Sequence, residues 1–413
     1  MKTGKPRVKI TNILLIASVA VLLFGTGYKL GEYGISFGKK TQVSTNSKNI
    51  DFSMFWKVWD TVEKKYVDQK KVDTKKMYYG AIKGMVASIE DPYTFFLTPT
   101  ENQQSKDGLG GKFEGIGASL GMKTNRVVVM SALKDSPAEK AHIQTGDFIL
   151  KVDKIATAGM PLTQVVAKIR GDKGTKVHLT LERDGKEIEI DVVRDTIHVK
   201  SVEVKLDEQL STCTGVCDKV AYLTLNQFGD STIDEWSQGV ADIKAKWDKK
   251  EIKGLVLDLR DNPGGYLESS VYLAGEFLGE NKLVVKQEST SYENKDYLVS
   301  RSGLLTDIPM TVLINGGSAS AAEILSGALR DYKRATLVGE KSFGKGSVQE
   351  AIDLGDGMGM HVTVAKWVLP KGDWINGKGI EPDIKVVNVI PEGDTLSRSL
   401  DKQLDTAIER ILK

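Results

Sequence analysis

Histidine and cysteine are scarce in this chain, at four and two among 413 residues. Zinc chemistry wants four closely spaced Cys, His or carboxylate ligands, and no HExxH, paired CxxC or His–carboxylate cluster occurs, so no metal is expected. Charge of one sign is also lacking: 57 Lys and Arg stand against 55 Asp and Glu. Without a basic excess, bulk-charge binding of nucleic acid is not expected. The 40% hydrophobic content allows a sizeable core, and the length suits two or three domains.

Only one long uncharged apolar run exists, residues 10–28. About 20 apolar residues span a bilayer as a helix, and a basic flank stays cytoplasmic. Residues 1–9, basic and free of acid, therefore predict a cytoplasmic segment, 10–28 a transmembrane signal anchor, and 29–50 a polar linker. A cleaved signal peptide is the alternative. Its apolar core is usually shorter, however, and no A-x-A site follows the run. Either way the folded part is expected outside the cytoplasm, periplasmic or extracellular. Cys213 and Cys217 fit that location as a short-loop disulfide, a local staple at most.

Three rhythms follow. Residues 51–104 read as a helical region in which Phe55, Trp56, Trp59, Val62 and Tyr66 recur at three- and four-residue steps, an apolar stripe expected to be core. Residues 105–195 carry short strands at near-regular spacing, interrupted by the helical SPAEKAHI and LTQVVAKIR. They predict a compact, mostly antiparallel sheet with two helices. Across 196–390, strands alternate with helices, as in an α/β domain with a largely parallel sheet, whose sites gather at the carboxyl ends of strands. Two glycine turns, NPGG at 262–265 and NGGS at 315–318, fall at such ends. The tail, 391–413, spaces Leu396, Leu400, Leu404, Ile408 and Leu412 four apart, an amphipathic helix that packs on something. The fold class is multi-domain α/β.

NGGSASAAE, residues 315–323, admits two readings. Ser320 followed by Glu323 is a capping box, or Ser320 is a nucleophile presented at a helix N-terminus. A histidine base is hard to find. His142, His178 and His198 lie in or beside the small sheet domain, leaving His361 as the one candidate, and G-G-S-A-S is not the G-x-S-x-G elbow. GEKSFGKGS, 339–347, begins like a phosphate-binding loop. Gly346 stands where a hydroxyl is required, though, and the following SVQEAIDL reads as a strand. Lys345 offers a different base. Its amine must be neutral, and moving its pKa from about 10.4 to about 7–8 costs on the order of 4 kcal/mol, supplied by apolar burial. An orienting partner should be neutral too, and Gln349 lies four residues on. Serine, lysine and glutamine then fill the roles of nucleophile, base and orienter. The plain alternative for Lys345 is a surface lysine.

From residue 52 onward the chain resembles the carboxyl-terminal processing proteases, serine–lysine peptidases with an embedded PDZ domain. YGAIKGMVASIEDPYTFFL resembles their opening block. FEGIG, SPAEKAHIQTGDFILKVD and IRGDKGT resemble their PDZ domain. LVLDLRDNPGG, INGGSASAAEILSGALRDYKRATLVGEKSFGKGSVQ and INGKGIEPD resemble their α/β protease core. The resemblance implies Ser320 as nucleophile, Lys345 as base and Gln349 as orienter, with no metal or organic cofactor. It implies an oxyanion hole from the N–H groups of Ala321 and Gly265, with Gly264 as the alternative donor, and leaves Ser318 structural. The PDZ domain, 105–195, is expected to capture apolar C-termini of protein or peptide substrates at Phe113, Gly115, Ile116 and Gly117. Arg170 is expected to touch the protease domain or substrate, or else to be a solvated surface arginine. The peptidase core is expected over 196–390. Ala322 departs from the family's second small hydroxyl, and the CTGVC insertion has no functional account. The expected function is a membrane-anchored serine endopeptidase acting through an acyl-enzyme. The competing expectations are an inactive PDZ scaffold tethering peptides at the membrane and a hydrolase using His361. A homodimer through the terminal helices is left open.

Overall fold

The computed structural model describes residues 50–124, 126–133, 135–160, 162–206, 220–389 and 396–413. The expected anchor at 10–28 and the cysteine pair at 213 and 217 lie outside them. Among the described residues no helix is long and apolar enough to cross a membrane. The chain divides after Thr74 into two units. In the first, α1 (Ser53–Lys65) buries none of its residues. The expected core stripe is therefore not core: the rings of Phe55, Trp56 and Trp59 meet edge-on or tilted with centres 5.1–6.1 Å apart, and Phe55 and Trp56 stay exposed.

The second unit opens with α2 (Thr74–Ala87), β1 (Phe95–Leu97) and α3 (Pro99–Leu109). Thr98 caps α3 in a capping box with Glu101, and Pro99 occupies the first turn, where its missing N–H costs nothing. A small domain follows: β2 (Lys112–Gly115), β3 (Ala118–Lys123), β4 (Arg126–Ala132), α4 (Pro137–Lys140), β5 (Phe148–Val152), β6 (Ile155–Ala156), α5 (Leu162–Ile169), β7 (Lys176–Arg183), β8 (Lys186–Val193) and β9 (Asp195–His198). Its sheet runs β3-β4-β5-β7-β8, all antiparallel, with β6 paired to β5. Val129, Ile149, Val165, Leu179 and Leu181 fill its core. β2 and β9 pair separately as a two-stranded neck, closed below by Val199 N–H donating to Gly111 O at 2.8 Å.

The remainder is the larger domain: β10 (Val202–Lys205), β11 (Val220–Leu225), α6 (Thr232–Asp248), β12 (Gly254–Asp258), α7 (Leu267–Ala274), β13 (Leu283–Glu288), β14 (Lys295–Leu298), β15 (Met310–Ile314), α8 (Ala321–Asp331), β16 (Thr336–Gly339), β17 (Ser347–Gly355), β18 (Met358–Val368), β19 (Ile384–Lys385) and α9 (Lys402–Leu412). One sheet runs β10-β11-β12-β15-β16-β19, parallel except at the β10 edge. GLVLD and MTVLI are buried at every position, as strands covered on both faces must be. Leu255, Leu257 and Val312 face α8 and the main core, while Val256, Leu313 and Val338 face Leu404, Ala407 and Ile408 of α9. The tail helix thus spends its apolar face on the sheet. Leu396, expected to belong to it, precedes it and is exposed.

The parallel reading of this domain was incomplete. A second, antiparallel sheet runs β1-β18-β13-β14, with β17 on β18, and draws in β1 from before the small domain through the pair Phe95↔His361. The small domain is therefore inserted within the larger one.

Candidate active site

β12 and β15 are parallel neighbours, so their carboxyl ends open side by side. The two turns that leave them are tied together. Asn315 Oδ1 accepts from Asp261 N–H at 2.9 Å and Gly317 N–H at 3.0 Å, while Asn315 Nδ2 donates to Asp261 Oδ1 at 2.9 Å. Asn262, fully buried, adds a third strand. Its amide donates to Leu225 O at 2.6 Å, its Oδ1 accepts from Gly264 N–H at 2.8 Å, and its carbonyl accepts from Ala319 N–H. Ser318 is buried in the same knot, donating to Leu259 O and accepting from Asn315 N–H.

Ser320 stands at the start of α8 with φ 54° and ψ −115°, a region that a residue with a Cβ enters only where its surroundings force it. Gly264, at φ 98°, is the reason it can. A Cβ there would lie 2.8 Å from Ser320 Cβ and 3.0 Å from Ala321 N. The NPGG backbone therefore passes directly against the serine, as only glycine permits. Phe228 bridges this turn, donating to Gly264 O and accepting from Tyr266 N–H. Gly264 N–H is committed to Asn262. The N–H groups of Gly265 and Ala321 donate to no group among the described residues.

Glu323, in the first turn of α8, was legible only as a cap. Its Oε2 does accept from Ser320 N–H at 2.9 Å, but the carboxylate reaches much further. The same oxygen takes Lys345 N–H at 3.0 Å, and Oε1 takes Ser342 Oγ–H at 2.5 Å and Gly344 N–H at 2.7 Å. Burial pushes this carboxyl above its usual range against those four bonds. Glu323 thus fastens the 342–345 loop to the serine turn. From the other side, Trp374 Nε1 donates to Gly346 O at 2.8 Å and Asn376 Oδ1 accepts from Gly346 N–H at 3.1 Å.

Lys345 is half-buried, and burial lowers its pKa, opposed by the charges of Asp91 and Glu323. Its Nζ lies 5.0 Å from the centre of the Tyr93 ring. Among the described residues Nζ makes no hydrogen bond, so neither Ser320 nor Gln349 is joined to it directly. Gln349 Nε2 donates to Ser347 Oγ at 2.8 Å and Thr363 Oγ1 at 3.2 Å. Gln349 lies four residues beyond Lys345, but no single strand carries both. β17 begins only at Ser347 and carries a register shift between Val348 and Gln349. His361 stacks on Phe95 at 4.9 Å, and its pKa is lowered by burial and by the Lys345 charge. Among the described residues no group of three or more His, Cys, Asp or Glu is placed to hold a metal.

In the small domain, Phe113 lies beneath the Arg170 guanidinium at 5.0 Å, with Gly115 packed against both. Arg170 is otherwise exposed. Gly117, at φ 74°, has Ser136 Cβ where its own would be, 2.4 Å away. Ile116 is buried, and the carbonyls of Ile116 and Gly117 accept from Ala138 and Leu133 while their N–H groups donate to nothing among the described residues. The strand that follows, β3, is the sheet edge.

Residues 219–386 match the model of peptidase family S41, 115–193 the PDZ domain, and 32–100 the activating protease CtpB N-terminal domain. A probable CtpA-like serine protease of Staphylococcus epidermidis is 38% identical over 380 residues, covering 89% of this chain and 73% of the relative. One from Staphylococcus haemolyticus is 40% identical over 336 residues, covering 79% and 65%. Among solved structures, the photosystem II D1 C-terminal processing protease aligns with a TM-score of 0.52 at 28% identity, covering 86% of this chain and 96% of that one.

Proposed function

Since the chain belongs to the S41 family of serine peptidases, is similar to CtpA-like serine proteases and carries a PDZ domain, we propose that it cleaves proteins captured by their C-termini, with Ser320 as nucleophile and Lys345 as base. The observation that carries this reading is the Glu323 carboxylate, which binds the backbone of both residues through one oxygen. The Lys345 amine takes the proton of Ser320 Oγ as the oxygen attacks the scissile carbonyl. Gly265 and Ala321, whose N–H groups meet no acceptor among the described residues, support an oxyanion hole beside Ser320. Collapse breaks the C–N bond, and the Lys345 ammonium returns its proton to the departing amine. Water then hydrolyses the ester on Ser320. The Gln349 Oε1 is the acceptor that would orient the amine once Lys345 turns toward it.

Substrate C-termini join the β3 edge, their carboxylate meeting the N–H groups of Ile116 and Gly117, as in strand addition to PDZ domains. The apolar, acid-free run at 10–28 supports an uncleaved anchor that leaves the protease outside the cytoplasm.

The test is hydrolysis of an unfolded protein with an apolar C-terminus by the wild-type chain, Ser320→Ala and Lys345→Ala. Mass spectrometry of the acid-quenched enzyme reads the acyl group on Ser320. Loss of turnover in both folded variants supports the dyad. Activity that survives in either one removes that residue from its role.

A further inference from the structure

The lysine that the proposed mechanism needs is held by a part of the chain some 250 residues earlier. The turn Asp91-Pro92-Tyr93-Thr94 leads into β1 and is braced on β18. Thr94 Oγ1 accepts from Thr363 N–H at 3.0 Å and donates to Asp91 Oδ2 at 2.7 Å, while Asp91 Oδ1 accepts from Tyr93 N–H at 3.1 Å. This fixes the Asp91 carboxylate and the main chain that carries the Tyr93 ring. Together with Gly344, Ser347, Thr363 and Trp374 they line a cleft of about 950 Å³. The Tyr93 ring is the group against which Lys345 Nζ rests, at 5.0 Å from its centre.

Four groups face that amine: Asp91 and Tyr93 from the turn, Glu323 from α8, and His361 from β18. Glu323 is occupied by four hydrogen bonds, and burial keeps His361 toward its neutral form. Asp91 is different. Burial acts to raise its pKa, but hydrogen bonds from Thr363, Thr94 and Tyr93, with the Lys345 charge, outweigh that and keep its carboxyl below the usual range, favouring the anion. A lysine side chain has four rotatable bonds and one productive placement. A ring face attracts the ammonium and also accepts the neutral amine as an apolar wall, so it holds the side chain in both protonation states.

We propose that Tyr93 and Asp91 are positioning residues for the general base, the ring holding the Lys345 amine and the braced carboxylate serving as its counter-charge. The inference rests on Lys345 being that base. The experiment compares the full chain with Asp91→Asn, Tyr93→Phe, Tyr93→Leu and Lys345→Ala, measuring kcat and KM from mildly acidic to alkaline pH, with the melting temperature of each. Asparagine keeps the acceptor for Tyr93 N–H and removes the charge. The acid limb of kcat is therefore expected to move down by about one pH unit, its alkaline plateau retained. Tyr93→Leu is expected to lower kcat about tenfold with KM little changed, and Tyr93→Phe to match wild type. A purely structural turn would lower activity evenly across pH and leave the limb in place. An unmoved limb in Asp91→Asn at wild-type stability overturns the role of Asp91, and unchanged kcat in Tyr93→Leu overturns that of the ring. Should Asp91→Asn fail to fold, Asp91→Ser, which also removes the charge, takes its place in the same test. Full activity in Lys345→Ala would instead overturn the dyad itself, a result separate from either.

Discussion

Ser320 and Lys345 share an acceptor: their backbone N–H groups donate to the same oxygen of Glu323, at 2.9 and 3.0 Å. Two side chains from different elements are thereby registered through their main chains, which cannot drift apart by rotamer changes. Glu323→Gln replaces two accepting oxygens with one and turns an NH₂ group toward donors. We expect a loss of about 2–4 kcal/mol in denaturant unfolding and a fall in kcat on the order of 100-fold. Full activity in a stable Glu323→Gln enzyme would remove the carboxylate from any part in registering the pair.

Activity should rise with pH. As the proposed base, Lys345 would work only as the free amine, and burial lowers its pKa below the ordinary lysine value of 10.5. The neutral fraction at any given pH is therefore larger than for an exposed lysine, and the rise should be centred below 10.5. The same shift makes the unfolded chain hold the extra proton between the two pKa values, so stability should also increase with pH through that window. Rates across pH at saturating substrate check the first point, since a flat profile contradicts a lysine base. Urea unfolding at two alkaline pH values checks the second.

Gly264→Ala tests how tightly Ser320, the proposed nucleophile, is framed. The new methyl would press on Ser320 Cβ and Ala319 O, each at 2.8 Å, and sits at φ 98°. The expected outcome is a loss of about 1–3 kcal/mol and a 10²-fold order of decrease in kcat, with peptide affinity of the PDZ domain unchanged. Measuring peptide binding and turnover on one preparation separates the two effects.

Capture of a C-terminus predicts a preference for a free carboxylate. A fluorescent apolar peptide should bind at least about tenfold more tightly than its C-terminal amide, because the amide brings no charge to the N–H groups of Ile116 and Gly117, which have no acceptor among the described residues. Equal anisotropy titrations would place recognition elsewhere on the peptide.

Arg260 binds Asp258 at 2.6 Å and Asp401 at 2.9 Å with all three side chains almost out of water. Arg260→Met would strand two buried carboxylates, and we expect a loss of about 3–5 kcal/mol, read as a lower denaturant midpoint. A midpoint within error of wild type would mean that α9 is held by its apolar face alone.

Local patterns made much of this fold legible. β12 and β15 are continuous apolar runs, α8 has its cap, and the glycine turns mark strand ends. What escaped depends on residues distant in sequence. β1 is three residues long and joins a sheet with β18, a pairing that no local period announces. The aromatics of α1 carry the right spacing for a core, but spacing says nothing about whether a partner surface exists. At the site, the Ser320 turn and the Lys345 loop stand out in the sequence as candidates, whereas the Glu323 carboxylate reads as an ordinary cap because its other three partners lie at 342–345. Tyr93 and Asp91 read as a turn, since their relation to Lys345 exists only after the sheets have formed.

The inserted small domain has its two ends paired as β2 and β9, with Gly111 and Val199 hydrogen-bonded below them. For the surrounding protease, an insert of roughly 90 residues therefore behaves as a loop of almost no length. Were it to unfold, the ring between its ends would have to be closed at an entropic cost on the order of 4 kcal/mol. A lesion confined to the inserted domain should then lower the melting temperature of the protease around it. Removing the whole insert and joining its ends by a short turn should leave the protease nearly as stable as before.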